Sequence, residues 1–340
     1  MATGHSGHPS LLQKGTVDNV LQAALGFLQD SQLPNGEFKT QAAENAAMTK
    51  ACVFDSSPFT TAYVLYSLGF QQDIRTETMI AKGLMFLQAE MEDGGVWRYW
   101  SSRNVAHRVL PPDLDDTACI SFLLQQYNIA PANHGLLLAN RRSDGLFYTW
   151  LAPRDEMPAP LKIKIRRLTR GSSLPLFSIS GTLHNVDPAV NANVLLYLGE
   201  HDETRSVISY LIKSTNDANL QKGSYYADPL VLYYLISRAC YHGVTSLAET
   251  YPTILNAVQA RRKSNGSFGN ELLTALAICT WFNFKGARDS LTDSIIYLLR
   301  TQRRSGTWRA VPMWLGPAPY YGSEELTTAL CVEALARYIS

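Results

Sequence analysis

Cysteine is sparse in this chain, and Cys52, Cys119, Cys240, Cys279 and Cys331 stand far apart with no paired spacing. Four of them fall within or directly after apolar helical segments, so reduced, mostly buried thiols in a cytoplasmic protein are expected instead of a disulfide framework. A zinc site would need clustered Cys, His and acidic ligands, and the sequence has no such cluster, so no metal site is expected. Charge of one sign is lacking too. A net charge of +1 offers no general attraction to nucleic acid, which is therefore not expected as a partner. No apolar run reaches transmembrane length, and the opening Met1 to Ser10, with His5 and His8, lacks the apolar core of a signal peptide. Residues 1–12 are expected to form a mobile tail.

What the chain does have is apolar residues arranged periodically. With 46% hydrophobic and 17% charged residues it can bury a large core, and a repeat running across residues 13–340 argues for one domain where 340 residues would usually suggest two. The repeat is marked by a turn of Gly, one variable residue and an aromatic: Gly36-Phe38, Gly95-Trp97, Gly145-Phe147, Gly223-Tyr225, Gly266-Phe268 and Gly306-Trp308. Amphipathic helices precede most of these turns, among them Val17 to Gln29, Met79 to Met91, Leu247 to Arg262 and Leu291 to Arg304. More uniformly apolar segments follow them: Thr60 to Phe70, Thr117 to Tyr127, Asn191 to Leu198, Leu230 to Ala239, Leu272 to Phe282 and Leu326 to Tyr338. A helix that is apolar all round is buried among others. Six such pairs predict an all-α fold, an α/α barrel with six inner helices wrapped by six outer ones around a central cavity.

The repeat is interrupted at about residues 151–185. Within this insertion Leu161 to Arg166 alternates apolar and basic residues with period two, which predicts a strand with one basic face. It reads either as a solvated hairpin or as a lid that meets an anionic head group or a membrane surface.

One inner helix carries acids where the others do not. In Pro-Pro-Asp-Leu-Asp-Asp-Thr-Ala (111–118), Asp113, Asp115 and Asp116 stand at the start of an apolar helix. Carboxylates there can simply cap free N–H groups and favour the positive end of the helix dipole. The repeats allow a sharper comparison. They are aligned on Thr61-Ala62, Thr117-Ala118, Ala192-Asn193, Asp228-Pro229, Thr274-Ala275 and Thr328-Ala329. Two positions earlier stand Phe59, Asp115, Val190, Tyr226, Leu272 and Leu326, a mostly apolar series broken by one acid. The second residues of the pairs are Ala62, Ala118, Asn193, Pro229, Ala275 and Ala329, broken by one amide, so Ala is expected to be tolerated at 193. Positions three apart share a helix face, which predicts that Asp115, Asn193 and Tyr226 point into one cavity. The plainer alternatives are an Asn193 bonded to a neighbouring helix and a Tyr226 that is core.

The motif Asp113-Leu114-Asp115-Asp116 resembles the Asp-x-Asp-Asp signature of class II terpene cyclases, and Gln302-x-x-x-Gly306-x-Trp308 resembles the Gln-Trp repeat of squalene-hopene and oxidosqualene cyclases. The resemblance covers nearly the whole chain. Many of these enzymes carry two or more α-barrel domains, whereas one barrel is nearer to the single-domain class II cyclases of cyanobacterial meroterpenoid biosynthesis. No Asp-Asp-x-x-Asp motif of the metal-dependent class I cyclases is present. The Gln-Trp motif is intact mainly in the last repeat, with Phe or Tyr replacing Trp in most others.

The resemblance implies that Asp115 protonates a terminal alkene or epoxide, that Asp113 and Asp116 tune it, and that Asn193 is its partner from the next inner helix. An isolated Asp, with a pKa of about 3.9, would be ionised near neutral pH, so burial and a like charge must raise it. A migrating carbocation needs dry, electron-rich walls, for which Phe59, Trp97, Trp100, Tyr226, Trp281, Trp314, Tyr320 and Tyr321 are candidates. Arg98 and Arg108, with Arg103 and His107 nearby, are candidates for a head group. The implied substrate is a lipophilic polyprenyl chain, on the nearest resemblance a prenylated aromatic acid such as a geranylgeranyl-hydroxybenzoate. No cofactor is expected, except Mg²⁺ if the substrate is a linear prenyl diphosphate, and a lipid substrate suggests peripheral membrane contact. A glycosidase on the same barrel would place acids on several inner helices. A protein prenyltransferase subunit would need zinc ligands, and a non-catalytic interaction barrel would have no reason to aim Asp115 inward.

Overall fold

The computed structural model describes residues 12–174, 182–221, 225–226, 228–315 and 319–340, so the tail expected at 1–12 and the turn at Gly223 lie almost wholly outside it. Among the described residues the chain forms the α-helices α1 (Lys14–Ser31), α2 (Pro58–Leu68), α3 (Ile74–Ala89), α4 (Leu114–Gln126), α5 (His134–Ala139), α6 (Ala159–Leu168), α7 (Pro188–Leu198), α8 (Arg205–Ser214), α9 (Ala218–Gln221), α10 (Pro229–Tyr241), α11 (Tyr251–Arg261), α12 (Glu271–Asn283), α13 (Thr292–Thr301) and α14 (Glu324–Ile339). Helices α2, α4, α7, α10, α12 and α14 pack each on the next, and α14 packs back on α2, so their contacts close into a ring. Around it, α1 lies on α14, α3 on α2, α8 on α7, α11 on α10 and α13 on α12.

The inner helices start where a polar side chain satisfies their first free N–H groups. Ser57, Asp113, Asp187, Asp228, Asn270 and Ser323 are the respective caps. A second tie joins five of the turns to the helices after them. Thr61, Thr117, Thr274 and Thr328 accept the N–H of Phe38, Trp97, Phe268 and Trp308 at 2.9–3.2 Å, and Asn191 accepts that of Phe147 at 2.9 Å. The tryptophans themselves are core: the indoles of Trp97 and Trp308 donate to Leu87 and Leu298 carbonyls on the preceding outer helices.

The turn glycine is needed for a close approach. Gly306 has φ +84° and sits against the Ala23 carbonyl of α1, where any Cβ would collide, and Gly36, with φ +91°, meets Lys82 of α3 in the same way. Gln302 Nε2 donates to Gly306 (3.0 Å) and to Val20 of α1 (2.8 Å), while Gln32 Nε2 donates to Gly36 (3.0 Å) and Met79 of α3 (2.9 Å). Each Gln thus clasps its own turn to the next outer helix. The last repeat clasps the first, which closes the outer layer.

Two expectations are corrected. The fold is not purely helical, because β1 (Gln41–Ala43), β2 (Val53–Phe54), β3 (Val311–Leu315) and β4 (Tyr320–Ser323) form an antiparallel sheet in the order β2-β1-β4-β3. The segment Leu161 to Arg166 is not a strand but part of helix α6. Its alternation hid a helical stripe, Leu161, Ile165 and Leu168 at i, i+4 and i+7, of which Ile165 and Leu168 are buried.

Candidate active site

A cavity of about 240 Å³ opens at the N-terminal ends of the inner helices. Its described wall is Phe59 at the start of α2, the three aspartates at the start of α4, Tyr99, Trp100, Leu110, Thr149 and Trp150 from the loops after two turns, Tyr225 and Tyr226 before α10, and Trp314 and Tyr321 from β3 and β4. Trp314 pairs with Tyr321 across the hairpin and bridges to Tyr226, so the sheet carries aromatic rings to the cavity.

Of the three aspartates in this wall, Asp115 is the most exposed. Asp113 and Asp116 are only 4% and 2% exposed, whereas Asp115 is half-buried at the start of α4. Asp115 Oδ1 accepts Asn193 Nδ2 at 2.7 Å, and Oδ2 accepts the Tyr226 hydroxyl at 2.5 Å. Burial, then the charge of Asp113, pushes the Asp115 carboxyl up to about 7, against the two hydrogen bonds that favour its ionised form. The result is a proton held near neutrality, with donors already aimed at the anion that its loss would create.

The flanking acids differ in work. Asp113 Oδ1 accepts the backbone N–H of Asp116 at 2.9 Å as the cap of α4, and burial raises its carboxyl. Asp116 is raised well above the usual range by burial and by Asp113, and one of its oxygens has no hydrogen-bond partner. Of this pair Asp116 is pushed up the further, because Asp113 accepts the N–H bond and lies near the charge of Arg98.

Two inner helices, α7 and α10, stand in a different register from the one the sequence predicts. With the turn N–H as the marker, the partner of Thr61 and Thr117 in α7 is Asn191, one residue before the Ala192 used in the sequence alignment. In α10 Asp228 is the cap, equivalent to Ser57, so the alignment there was one turn off. Six residues after the caps of the first five inner helices stand Tyr63, Cys119, Asn193, Tyr234 and Leu276, none of them Ala or Pro. Tyr226 reaches Asp115 from the segment before α10 and not from an inner helix.

Of the other expected wall residues, Phe59, Trp100, Trp314 and Tyr321 line the cavity. Trp97 does not, being fully buried behind it. Trp281 lies ten residues along α12 from Glu271, about 15 Å from that end, and its indole donates to Ala287. Tyr320 is excluded because neighbours on a strand face opposite ways, and Tyr321 takes the inward place. Arg98 is consumed by Glu92 (2.5 Å) and by the Leu110 and Leu168 carbonyls, and Arg108 is exposed on the loop between Trp100 and Leu110. The described wall therefore holds no Lys, Arg or His. Among the described residues no group of three or more His, Cys, Asp or Glu side chains is placed to hold a metal ion.

Sequence reasoning missed Tyr99, Trp100's neighbour, together with Trp150, and it missed Arg238. The first two had a signal, since they stand two and three residues after the turn aromatics Trp97 and Phe147. Arg238 was the one charged residue in a segment otherwise read as apolar.

No family model and no curated relative matches the sequence. Solved structures do. A protein from Actinoplanes is 16% identical with a TM-score of 0.72, covering 95% of this chain and 100% of its own. The type II terpene cyclase MstE from Scytonema is 18% identical with a TM-score of 0.69, over 94% of this chain and 97% of its own. The ent-copalyl diphosphate synthase from Streptomyces platensis is 19% identical with a TM-score of 0.61, over 83% of this chain and 50% of its own. This chain is similar in fold to type II terpene cyclases.

Proposed function

We propose that this chain is a class II terpene cyclase built on an α/α barrel, with Asp115 as the general acid. The observation that carries this reading is the Asp115 carboxyl, raised to about 7 in the wall of an aromatic cavity, with Asn193 and Tyr226 on its two oxygens. The Asp115 O–H bond breaks as the π electrons of a terminal alkene form a new C–H bond, leaving a carboxylate and a tertiary carbocation. An acid that must both keep its proton and give it to carbon needs this balance of burial and anion stabilisation. Further ring closures then carry the cation along the chain. Phe59, Trp100, Trp150, Trp314 and Tyr321 offer π faces worth about 2 kcal/mol each when desolvated. Loss of a proton at the end makes the product an isomer of the substrate.

The substrate we favour is a polyprenyl chain on an aromatic head group. A variant of MstE has been solved in complex with its substrate geranylgeranyl dihydroxybenzoate, and 95% of this chain matches that complex with a TM-score of 0.70. The acid end of such a substrate would stay toward the mouth, near the exposed Arg103 and Arg108 in the loop between wall residues Trp100 and Leu110, because the described wall has no cation. A prenyl diphosphate is less favoured for the same reason. Among the described residues no helix is long and apolar enough to cross a membrane, but Val53, Phe54, Val105 and Val109 are exposed. Val53 and Phe54 form strand β2, and Val105 and Val109 lie in the Trp100–Leu110 loop, which supports transient contact with a lipid surface during substrate entry.

Incubation with prenylated benzoates, prenyl diphosphates and squalene in heavy water, followed by mass spectrometry, tests the proposal. The expected product is isomeric with one of the aromatic substrates and carries one solvent deuteron. No conversion of any polyprenyl substrate by folded protein would overturn it.

A further inference from the structure

Helix α10 carries one charged residue in its apolar run, and it is 1% exposed: Arg238. None of the ion pairs among the described residues involves it. Its Nη2 donates to Asn193 Oδ1 at 2.5 Å and meets Cys119 Sγ at 3.9 Å, and its Nε has no partner. The guanidinium carbon lies 5.1, 5.0 and 5.6 Å from the ring centres of Tyr63, Tyr66 and Tyr234. A buried guanidinium without a carboxylate is expensive, so its retention in the ring asks for a reason.

The geometry points to Arg238 as a positioning residue for the general acid, acting through Asn193. This inference rests on the proposal that Asp115 is that acid. An amide can present either end to a neighbour, and only one end donates. Arg238 takes the Asn193 carbonyl, so the NH₂ group is the end left to face Asp115. Flipping the amide would turn an oxygen toward the carboxylate and an N–H toward the guanidinium, two repulsive contacts in a medium of low dielectric. The arrangement also places positive charge behind the one group that becomes negative when the proton leaves. Charge preorganised at the site of a developing anion is the largest lever a dry site has.

Other groups share this space and must be counted. Around Asp115 these are Asp113, Asp187 and Tyr226, with Asp116 beside them. Around Arg238 they are Tyr63 and Tyr66 from α2, Cys119 from α4 and Tyr234 from its own helix, with His242 and Glu333 next to those tyrosines. Among these only Arg238 carries a positive charge near neutral pH, since burial, then Arg238 and Arg337, pushes His242 down to about 4. Removing Arg238 therefore disfavours the Asp115 anion, and its carboxyl should titrate higher.

The test is Arg238→Gln, with Asp115 titrated by its carboxylic C=O infrared band as the difference from Asp115→Asn, and with kcat and KM measured across pH. The expected result is a folded variant whose Asp115 midpoint rises by about one unit, whose kcat falls on the order of tenfold to a hundredfold and whose KM changes little. An unchanged midpoint with kcat within about twofold of wild type would overturn the inference. Should Arg238→Gln not fold, Arg238→Lys keeps the charge and loses the planar fork. Its midpoint should stay near that of the wild type while kcat still falls about tenfold, and a wild-type kcat would overturn the positioning role. The infrared titration needs no substrate, so it reports on Arg238 even if the cyclase reading fails.

Discussion

The ring of inner helices buries acids at both of its ends, and the two ends treat them differently. Away from the cavity, in the C-terminal half of α14, Glu333 is fully buried; its Oε2 accepts Ser67 and Tyr234 hydroxyls at 3.1 Å, and its Oε1 faces Arg337 Nη1 at 3.2 Å. Arg337 also donates to Asn283 at 2.7 Å and lies over the Phe70 and Tyr241 rings. Every charge there has an opposite charge in contact. At the cavity end Asp115 has two hydrogen-bond donors, no cation in contact, and two further acids beside it. Burial alone does not mark a functional acid. What marks it is burial left uncompensated, so that the proton stays and can be given away.

The comparison is broken most severely by replacing the two acids. Asp115→Asn should abolish product formation while the chain stays folded, because an amide cannot protonate an alkene. Equal turnover by the variant would refute the assignment. The same variant has a thermodynamic signature. Since the folded Asp115 is raised to about 7, the native state holds a proton that the unfolded state has released above about pH 4. Its contribution to stability therefore falls as pH rises from about 4 to 7. Asp115→Asn should remove that slope, gaining stability over wild type at pH 8 and little at pH 5, as read from denaturant midpoints.

Glu333→Gln should do the reverse. It leaves Arg337 without its carboxylate, and breaking a buried pair from one side costs about 3–5 kcal/mol. Activity per folded molecule should remain close to wild type, since no atom of this cluster lines the cavity. A denaturant midpoint unchanged from wild type would show that the far cluster is not structural.

The difference between the ends also decides what could be read from sequence. Turn glycines, apolar stretches and the Asp113–Asp116 motif are local patterns, and they located the ring helices and the acid end. The sheet was missed because β1 and β2 are three and two residues long and pair with strands about 280 residues away or with each other, which no periodicity can register. Helix α6 was misread because six residues alternate as well as they spiral. Asn193 was reached through an alignment off by one residue in α7 and by a turn in α10, so its place beside Asp115 followed from the resemblance more soundly than from the repeat. Arg238 was passed over because a lone charge in an apolar stretch looks like noise until its neighbours are known.

That slip changes one expectation. Small residues at supposed sister positions suggested that Asn193→Ala would be harmless to folding, but the true counterparts are Tyr63, Cys119, Tyr234 and Leu276. Truncation would leave Arg238 Nη2 with only a distant sulfur. Asn193→Ala should therefore lower kcat about tenfold to a hundredfold and also cost about 1–3 kcal/mol of stability. Full activity in a destabilised variant would make Asn193 structural and leave Tyr226 as the main donor to Asp115.

The smallest effect sharpens the comparison by subtracting one charge from the cavity end. Asp113→Asn keeps the cap of α4, because an Asn oxygen can accept the Asp116 N–H as an Asp oxygen does, and the stability change from capping should be small. It removes the charge that, after burial, does most to raise Asp115. The Asp115 carboxyl should then titrate below 7, and the neutral, proton-bearing form should be lost at lower pH. Wild-type kcat is expected to fall through about pH 7 as pH rises, and in Asp113→Asn this fall should begin earlier, with little change in kcat at pH 5. The pH profile of kcat measures it. A limb that stays in place would mean that burial alone loads Asp115, and a limb that moves up would mean that Asp113 stabilises the anion it was expected to oppose.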